Sequence, residues 1–173
     1  MADANSRNKY DRKDSLELGS RAESLFVNLA KHLGWSVAPS SKDENIDGHW
    51  DYLIEKEGAA FRVEVKSSKR ISRDDDGTQS DLTWIELHGV RPNDPGWLFG
   101  KADLIAFEKE NSFLLVRKPD LLDMVNKKVN LGARVSRPGD ALYKIYTRPG
   151  RRDKLTLLPM HDVDAIKFDE WKK

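Results

Sequence analysis

With 173 residues, 34% charged and 38% hydrophobic, and a mean hydropathy of −0.69, the chain has material for one domain with a real core and a heavily charged surface. No stretch reaches bilayer-spanning length, the N-terminal charges have no apolar run behind them, and zero cysteines exclude disulfides, Cys-zinc sites and thiol catalysis, while four scattered histidines offer no zinc spacing. The expectation is a cytoplasmic protein without a membrane partner; at a net charge of +1, any nucleic-acid contact must come from local basic patches.

Residues 1–14 are polar and read as a flexible tail, leaving 15–173 as a single domain. Ser15 suits the N-cap of a helix that runs to Leu33 and is stopped by Gly34. Leu18, Ala22, Leu25, Phe26, Leu29 and Leu33 recur at helical spacing and form its buried stripe. Glu23 sits at the margin of that stripe, where it either pairs with a lysine or belongs to a site. Residues 35–38 form a short edge strand, and PSSKDENIDG reads as a polar loop whose Asp47-Gly48 makes a turn.

The runs HWDYLIE and AFRVEVK alternate at strand spacing around Glu57-Gly58, a tight turn with glycine where positive φ is easiest. This register sets Trp50 opposite Val65, Tyr52 opposite Val63 and Ile54 opposite Phe61, making one face apolar. On the other face Asp51 meets Glu64 and His49 meets Lys66. Like charges directly opposed across an antiparallel pair are destabilising, and a divalent cation between Asp51 and Glu64 would relieve them. Mg²⁺ suits a site with few carboxylates, with Mn²⁺ able to substitute. Lys66, two residues past Glu64 on the same face, reaches the same place. The plainer alternative is an amphipathic hairpin with a solvated polar face.

Lys69 and Arg70 leave the strand just beyond Lys66, where a nucleic-acid backbone would pass, and Arg73 and an acidic run follow as a charged loop. Residues 81–90 form a third strand with Leu82, Trp84 and Glu86 on one face. If it lies beside the 60–66 strand, Glu86 joins the site; otherwise it is an ordinary edge-strand acid. RPNDPGWLFG is a turn-rich connection in which Trp97 fills the core. Residues 102–108 and 112–117 make a second hairpin with Asp103 in a structural role, and Pro119 opens a helix over 121–129. ALYKIYTR and LTLLP make a third hairpin. Arg148, Arg151, Arg152 and Lys154 crowd its turn, either as a solvated tip or as a DNA-facing finger.

An acid opening one strand followed by Glu-x-Lys in the next, here Asp51 and then Glu64-Val65-Lys66, resembles the PD-(D/E)xK nuclease superfamily, and looks most like its Holliday-junction-resolvase and restriction-type members. The resemblance runs from Glu23 to about Phe107; Trp50 stands where the motif has proline. It implies an α/β (α+β) fold with a restriction-endonuclease-like core: a central mixed sheet flanked by helices, in the order α-β-β-β-α-β, with the C-terminal hairpin added. It also implies a metal-dependent endonuclease that hydrolyses phosphodiesters, with DNA the expected substrate. Asp51, Glu64 and the carbonyl of Val65 would hold Mg²⁺. Lys66, its pKa pulled down, would position or deprotonate the attacking water or stabilise the transition-state charge, and Glu23 would orient Lys66 or a metal-bound water. Lys69, Arg70, Arg151 and Arg152 would contact nucleic acid. A homodimer follows by analogy with nucleases that cut both strands. The rival readings are a non-catalytic nucleic-acid-binding or assembly protein on the same fold, and an unrelated α/β domain.

Overall fold

A computed structural model describes residues 4–72 and 75–173, with side chains from Leu16 onward. Arg73 and Asp74 of the charged loop lie outside the described residues. Helix α1 spans Ala4–His32, so Ser15, the expected cap, falls inside it. Nothing before Pro39 forbids a helix; the polar stretch lacks an apolar stripe, and that lack reads as a tail. The other end stops as the sequence predicts. Gly34 adopts φ 88°, its N–H donates to Lys31 O and that of Trp35 to Ala30 O, both at 3.0 Å, which satisfies the last carbonyls in a Schellman motif. Ala22, Phe26 and Ala30 are the buried line of α1, whereas Leu25 and Leu33, expected inside, are exposed.

Strand β1 (Ser36–Pro39) leads into α2 (Lys42–Gly48), where the sequence predicts a loop. The reason for the helix is a capping box: Ser41 Oγ accepts from Glu44 N–H and the Glu44 carboxylate accepts from Ser41 N–H. Strands β2 (Tyr52–Lys56) and β3 (Ala59–Lys66) form the expected hairpin, with Tyr52 opposite Val63 and Ile54 opposite Phe61, and with Glu57 and Gly58 at φ 50° and 82°. The ladder ends at Tyr52. Trp50 therefore does not sit on Val65 but packs into the core on the opposite face.

β4 (Leu82–His88), a 3-10 turn (Trp97–Phe99), β5 (Leu104–Glu108), β6 (Ser112–Arg117), α3 (Lys118–Lys128), β7 (Asn130–Val135), a second 3-10 turn (Pro138–Asp140), β8 (Lys144–Tyr146), β9 (Lys154–Pro159), α4 (Met160–Ala165) and β10 (Lys167–Lys172) complete the described chain. They build two mixed sheets. The six-stranded one has the order β1-β2-β3-β5-β6-β10, with β3 and β5 parallel; the four-stranded one has the order β4-β9-β8-β7. The third strand of the sequence reading thus belongs to the second sheet, and β5 takes its place beside β3. Burial explains the choice: every residue of β5 is buried, as a parallel neighbour covered on both faces must be, while β4 is mostly half-buried.

The six-stranded sheet is covered on both sides. Facing α1, Phe26 stacks on Trp171 with ring centroids 5.4 Å apart and meets Phe113 edge-on, over Ile54, Val63, Val65, Leu104 and Ala106. The opposite face packs Ile105, Phe107, Leu114 and Val116 against α3, α4, Trp97 and Ile85 of the second sheet. The fold is therefore mixed α and β with a central mixed sheet flanked by helices. No helix among the described residues is long and apolar enough to cross a membrane.

Candidate metal centre beside the central sheet

Asp51 lies just before β2, one residue outside the ladder. Its N–H donates to Val63 O at 2.8 Å, so the chain still follows β3. Its side chain turns to the end of the hairpin: Oδ2 accepts from Val65 N–H at 2.7 Å, and Oδ1 accepts from Asn45 Nδ2 at 2.8 Å. Asn45 comes from α2, and sequence reasoning missed it; the Ser41/Glu44 capping box was the signal that could have found the helix carrying it. Asp51 and Glu64 are both buried. Burial first, then the charge of Glu64, push the Asp51 carboxyl up to about 7, against the lowering effect of Val65 N–H and Lys66. The two acids thus repel through space although the expected ladder pair does not form.

Lys66 Nζ is 2.5 Å from Glu64 Oε1 and lies 5.1 Å from the centre of the Trp97 ring. Burial works to lower its pKa, but Glu64 and then Asp51 outweigh this and hold it above the ordinary lysine range. Set by these acids, the direction is opposite to the depression expected beside a bound cation. Glu23 accepts from Tyr52 Oη at 3.2 Å; burial raises its pKa, the Tyr52 bond opposes this, and Glu64 and Lys66 also act on it. The structure therefore brings Glu23, Asp51, Glu64 and Lys66 into one electrostatic cluster, with Glu23 as its outlying member on α1.

Lys69 and Lys66 line a cavity of about 270 Å³ with Trp84, Glu86, Trp97 and Arg148, between the two sheets. Lys69 is exposed as a residue, but loss of water around its ammonium, then the charge of Lys66, lowers it to about 8. Arg70 is exposed, and its carbonyl accepts from Trp84 Nε1. Arg151 and Arg152 are exposed on the β8–β9 turn; neither lines this cavity, whereas Arg148 does and is paired with buried Asp153. A second cavity, of about 480 Å³, opens at the other end of β3 beside Arg62, Asp103 and Lys118, and holds none of the site residues. Asp103 is structural, as expected: its carboxylate accepts from Arg62 N–H at 2.7 Å and from the Arg62 guanidinium.

Glu86 does reach this neighbourhood, though from the second sheet. Burial raises its carboxyl, and Lys66 and His49 act in the opposite sense. His49, the α2 C-cap, holds a left-handed conformation at φ 52° and ψ 55°, and its Nε2 lies 2.6 Å from Asp94 Oδ1. One ligand atom from each of His49, Glu86 and Asp94 falls within 4.8 Å of the others. Asp94 was not legible as a site residue, because it stands in a stretch whose prolines and glycines read only as a connection. Glu108 was missed too. It is buried and fixes α1 and the C-terminus to the sheet, through Arg21 at 2.7 and 2.8 Å and Lys173 at 3.0 Å.

Comparison with known proteins adds no relative: no family model, no curated protein and no solved structure matches this chain.

Proposed function

We propose that this chain is a metal-dependent endonuclease that hydrolyses the phosphodiester bonds of DNA. The observation that carries the reading is the buried pair Asp51 and Glu64, electrostatically coupled at the end of one hairpin, with the Lys66 ammonium 2.5 Å from Glu64. The arrangement of strands agrees with it. β1, β2 and β3 run antiparallel, β5 lies parallel beside β3, and α1 covers one face, as a restriction-endonuclease-like core would have it, although β4 and a 3-10 turn occupy the β3–β5 connection.

The donor set fits a hard dication. Burial and the charge of Glu64 disfavour an ionised Asp51, a cost that a bound dication would offset, and oxygen ligands suit Mg²⁺ with Mn²⁺ as substitute. Asp51, Glu64 and the Val65 carbonyl would hold it. When bound, the ion would supply Lewis-acid polarisation of the phosphate and acidify water. Asn45 and Val65 N–H aim the Asp51 carboxylate. Lys66, kept cationic by its acidic neighbours, stabilises charge developing on the phosphate or gives a proton to the leaving oxygen, so that, of the roles expected from the sequence, charge stabilisation is favoured over deprotonation of the water. Glu23, held by Tyr52, biases Lys66 toward that state. Lys69, in the adjoining cavity, and Arg70 would contact backbone phosphates, and Arg151 and Arg152 more distant ones.

The test is calorimetric titration of Mg²⁺ and Mn²⁺ into wild-type and Glu64→Gln protein, followed by incubation with plasmid, branched and single-stranded DNA. Metal-dependent cleavage by wild type, lost in Glu64→Gln, supports the reading; DNA binding without cleavage in either metal supports the non-catalytic alternative.

A further inference from the structure

We propose that His49, Glu86 and Asp94 form a second cation site, separate from Asp51 and Glu64, that takes a first-row transition-metal dication such as Mn²⁺ or Zn²⁺. The three residues come from the C-cap of α2, from β4 of the other sheet and from the segment that follows β4, and they converge within 4.8 Å of one another. Asp94 is buried, at 8% exposure, and His49 and Glu86 are half-buried. An ion pair between His49 and Asp94 would explain two of them. It does not explain a third carboxylate brought to the same point, where Glu86 and Asp94 repel each other.

The surrounding backbone is shaped for this convergence. A Cβ on Gly100 would meet His49 Cβ at 2.7 Å and Gly48 O at 2.8 Å, and one on Gly96 would meet Glu86 O and His88 N at 2.8 Å. A Cβ on Gly89 would run into the Asp94 carboxylate itself. Gly96 N–H also donates to Asp94 Oδ1 at 3.1 Å, fixing the carboxylate toward His49. The neighbouring cations are Arg91, 3.5 Å from Asp94 Oδ2, and Lys66, whose charge acts on Glu86.

The donor set decides the ion. One imidazole nitrogen with two carboxylate oxygens favours Mn²⁺, Fe²⁺, Co²⁺ or Zn²⁺ over Mg²⁺, which prefers oxygen alone. Such an ion would pin α2, β4 and the Trp97 turn together. Since Trp97 lies against Lys66 and its N–H donates to Glu86, the ion would stiffen the wall beside the hairpin acids.

The experiment uses the metal-stripped full chain carrying Asp51→Asn and Glu64→Gln, which disables the hairpin acids and makes the outcome independent of the nuclease reading. Zn²⁺ and Mn²⁺ are titrated into it calorimetrically, and bound Mn²⁺ is probed for nitrogen coupling by pulsed electron paramagnetic resonance. The expected result is one ion per chain, with nitrogen coupling. Adding His49→Asn, which tolerates the left-handed backbone, should abolish the coupling, and adding Asp94→Asn should weaken binding about tenfold or more. Circular dichroism confirms that each variant is folded. No Zn²⁺ or Mn²⁺ binding by the folded double variant, or binding that neither addition alters, overturns the proposal.

Discussion

The acids on the two sides of Lys66 are held in different ways. Asp51 and Glu64 belong to one hairpin, eight residues of β3 and the stretch just before β2, and their relation follows from a turn at Glu57-Gly58 and from alternation along the strands. Glu86 and Asp94, on β4 and the turn that follows it, come up to His49 and Lys66 only because the second sheet folds back onto the first. The first arrangement survives in any fold that keeps the hairpin, whereas the second exists only in the assembled molecule. A chemical site read from local register is thus backed by a wall that is purely tertiary.

The sharpest way to separate the two sides is at the lysine between them. Lys66→Gln keeps a donor for Glu64 but removes the cation, and cleavage in Mg²⁺ should fall about 10²- to 10⁴-fold in a variant less destabilised than Lys66→Ala. Lys66→Ala is a poorer probe, since it leaves buried Glu64 without its partner and should destabilise the chain as well.

Asp51 probes the hairpin side through pH. Its folded-state carboxyl titrates near 7, above the ordinary value of 3.8, so the folded protein holds a proton that the unfolded chain has released. Stability is therefore greatest at acid pH for this group and falls as pH rises through 7. In chelator at pH 8, Asp51→Asn should be more stable than wild type, on the order of 3 kcal/mol, and the gap should close toward pH 4. Denaturant unfolding at the two pH values checks this. Mg²⁺ should shrink the gap at pH 8 by stabilising wild type alone.

Gly100→Ala breaks the other side. The added methyl collides with His49 and the Gly48 carbonyl, a strain of about 1–3 kcal/mol that should lower the melting temperature while leaving the Asp51 and Glu64 geometry untouched. The smallest effect is expected from Ser41→Ala, which removes one bond of the α2 capping box at about 1 kcal/mol. Because α2 carries Asn45, weaker metal binding at the hairpin should accompany the loss of stability; calorimetric titration with Mn²⁺ measures the first and denaturant unfolding the second.

What the sequence made legible is what short-range chemistry decides. The β2–β3 pairing, the stop at Gly34, the β5–β6 hairpin and the helix after Pro119 all follow from turns, caps and alternation within a few residues. Helix α2 was equally local and was missed because its polar composition outweighed the Ser41-x-x-Glu44 pattern. The partner of β3 was not legible: the alternating run 81–90 was considered for that place, whereas 102–108, read only as half of a second hairpin, takes it as a fully buried parallel strand. β7 and β10 escaped notice for a related reason, since each is largely exposed and lacks a strong apolar face. At the site, Asp51, Glu64 and Lys66 could be grouped from register alone. Asn45 and Asp94 could not, because their contacts depend on how α2 and the 89–100 segment pack, and the direction of the Lys66 shift depended on weighing burial against two nearby carboxylates.

The central claim, that Lys66 acts as a cation beside a metal held by Asp51 and Glu64, is tested most directly by incubating plasmid and branched DNA with purified wild-type and Lys66→Gln protein in Mg²⁺ and in chelator. The account predicts cleavage by wild type that requires the metal and is lost by at least a hundredfold, about the lower end for proton-transfer catalysis, in the folded variant. Equal cleavage by the two proteins, or wild-type cleavage that persists in chelator, would contradict it.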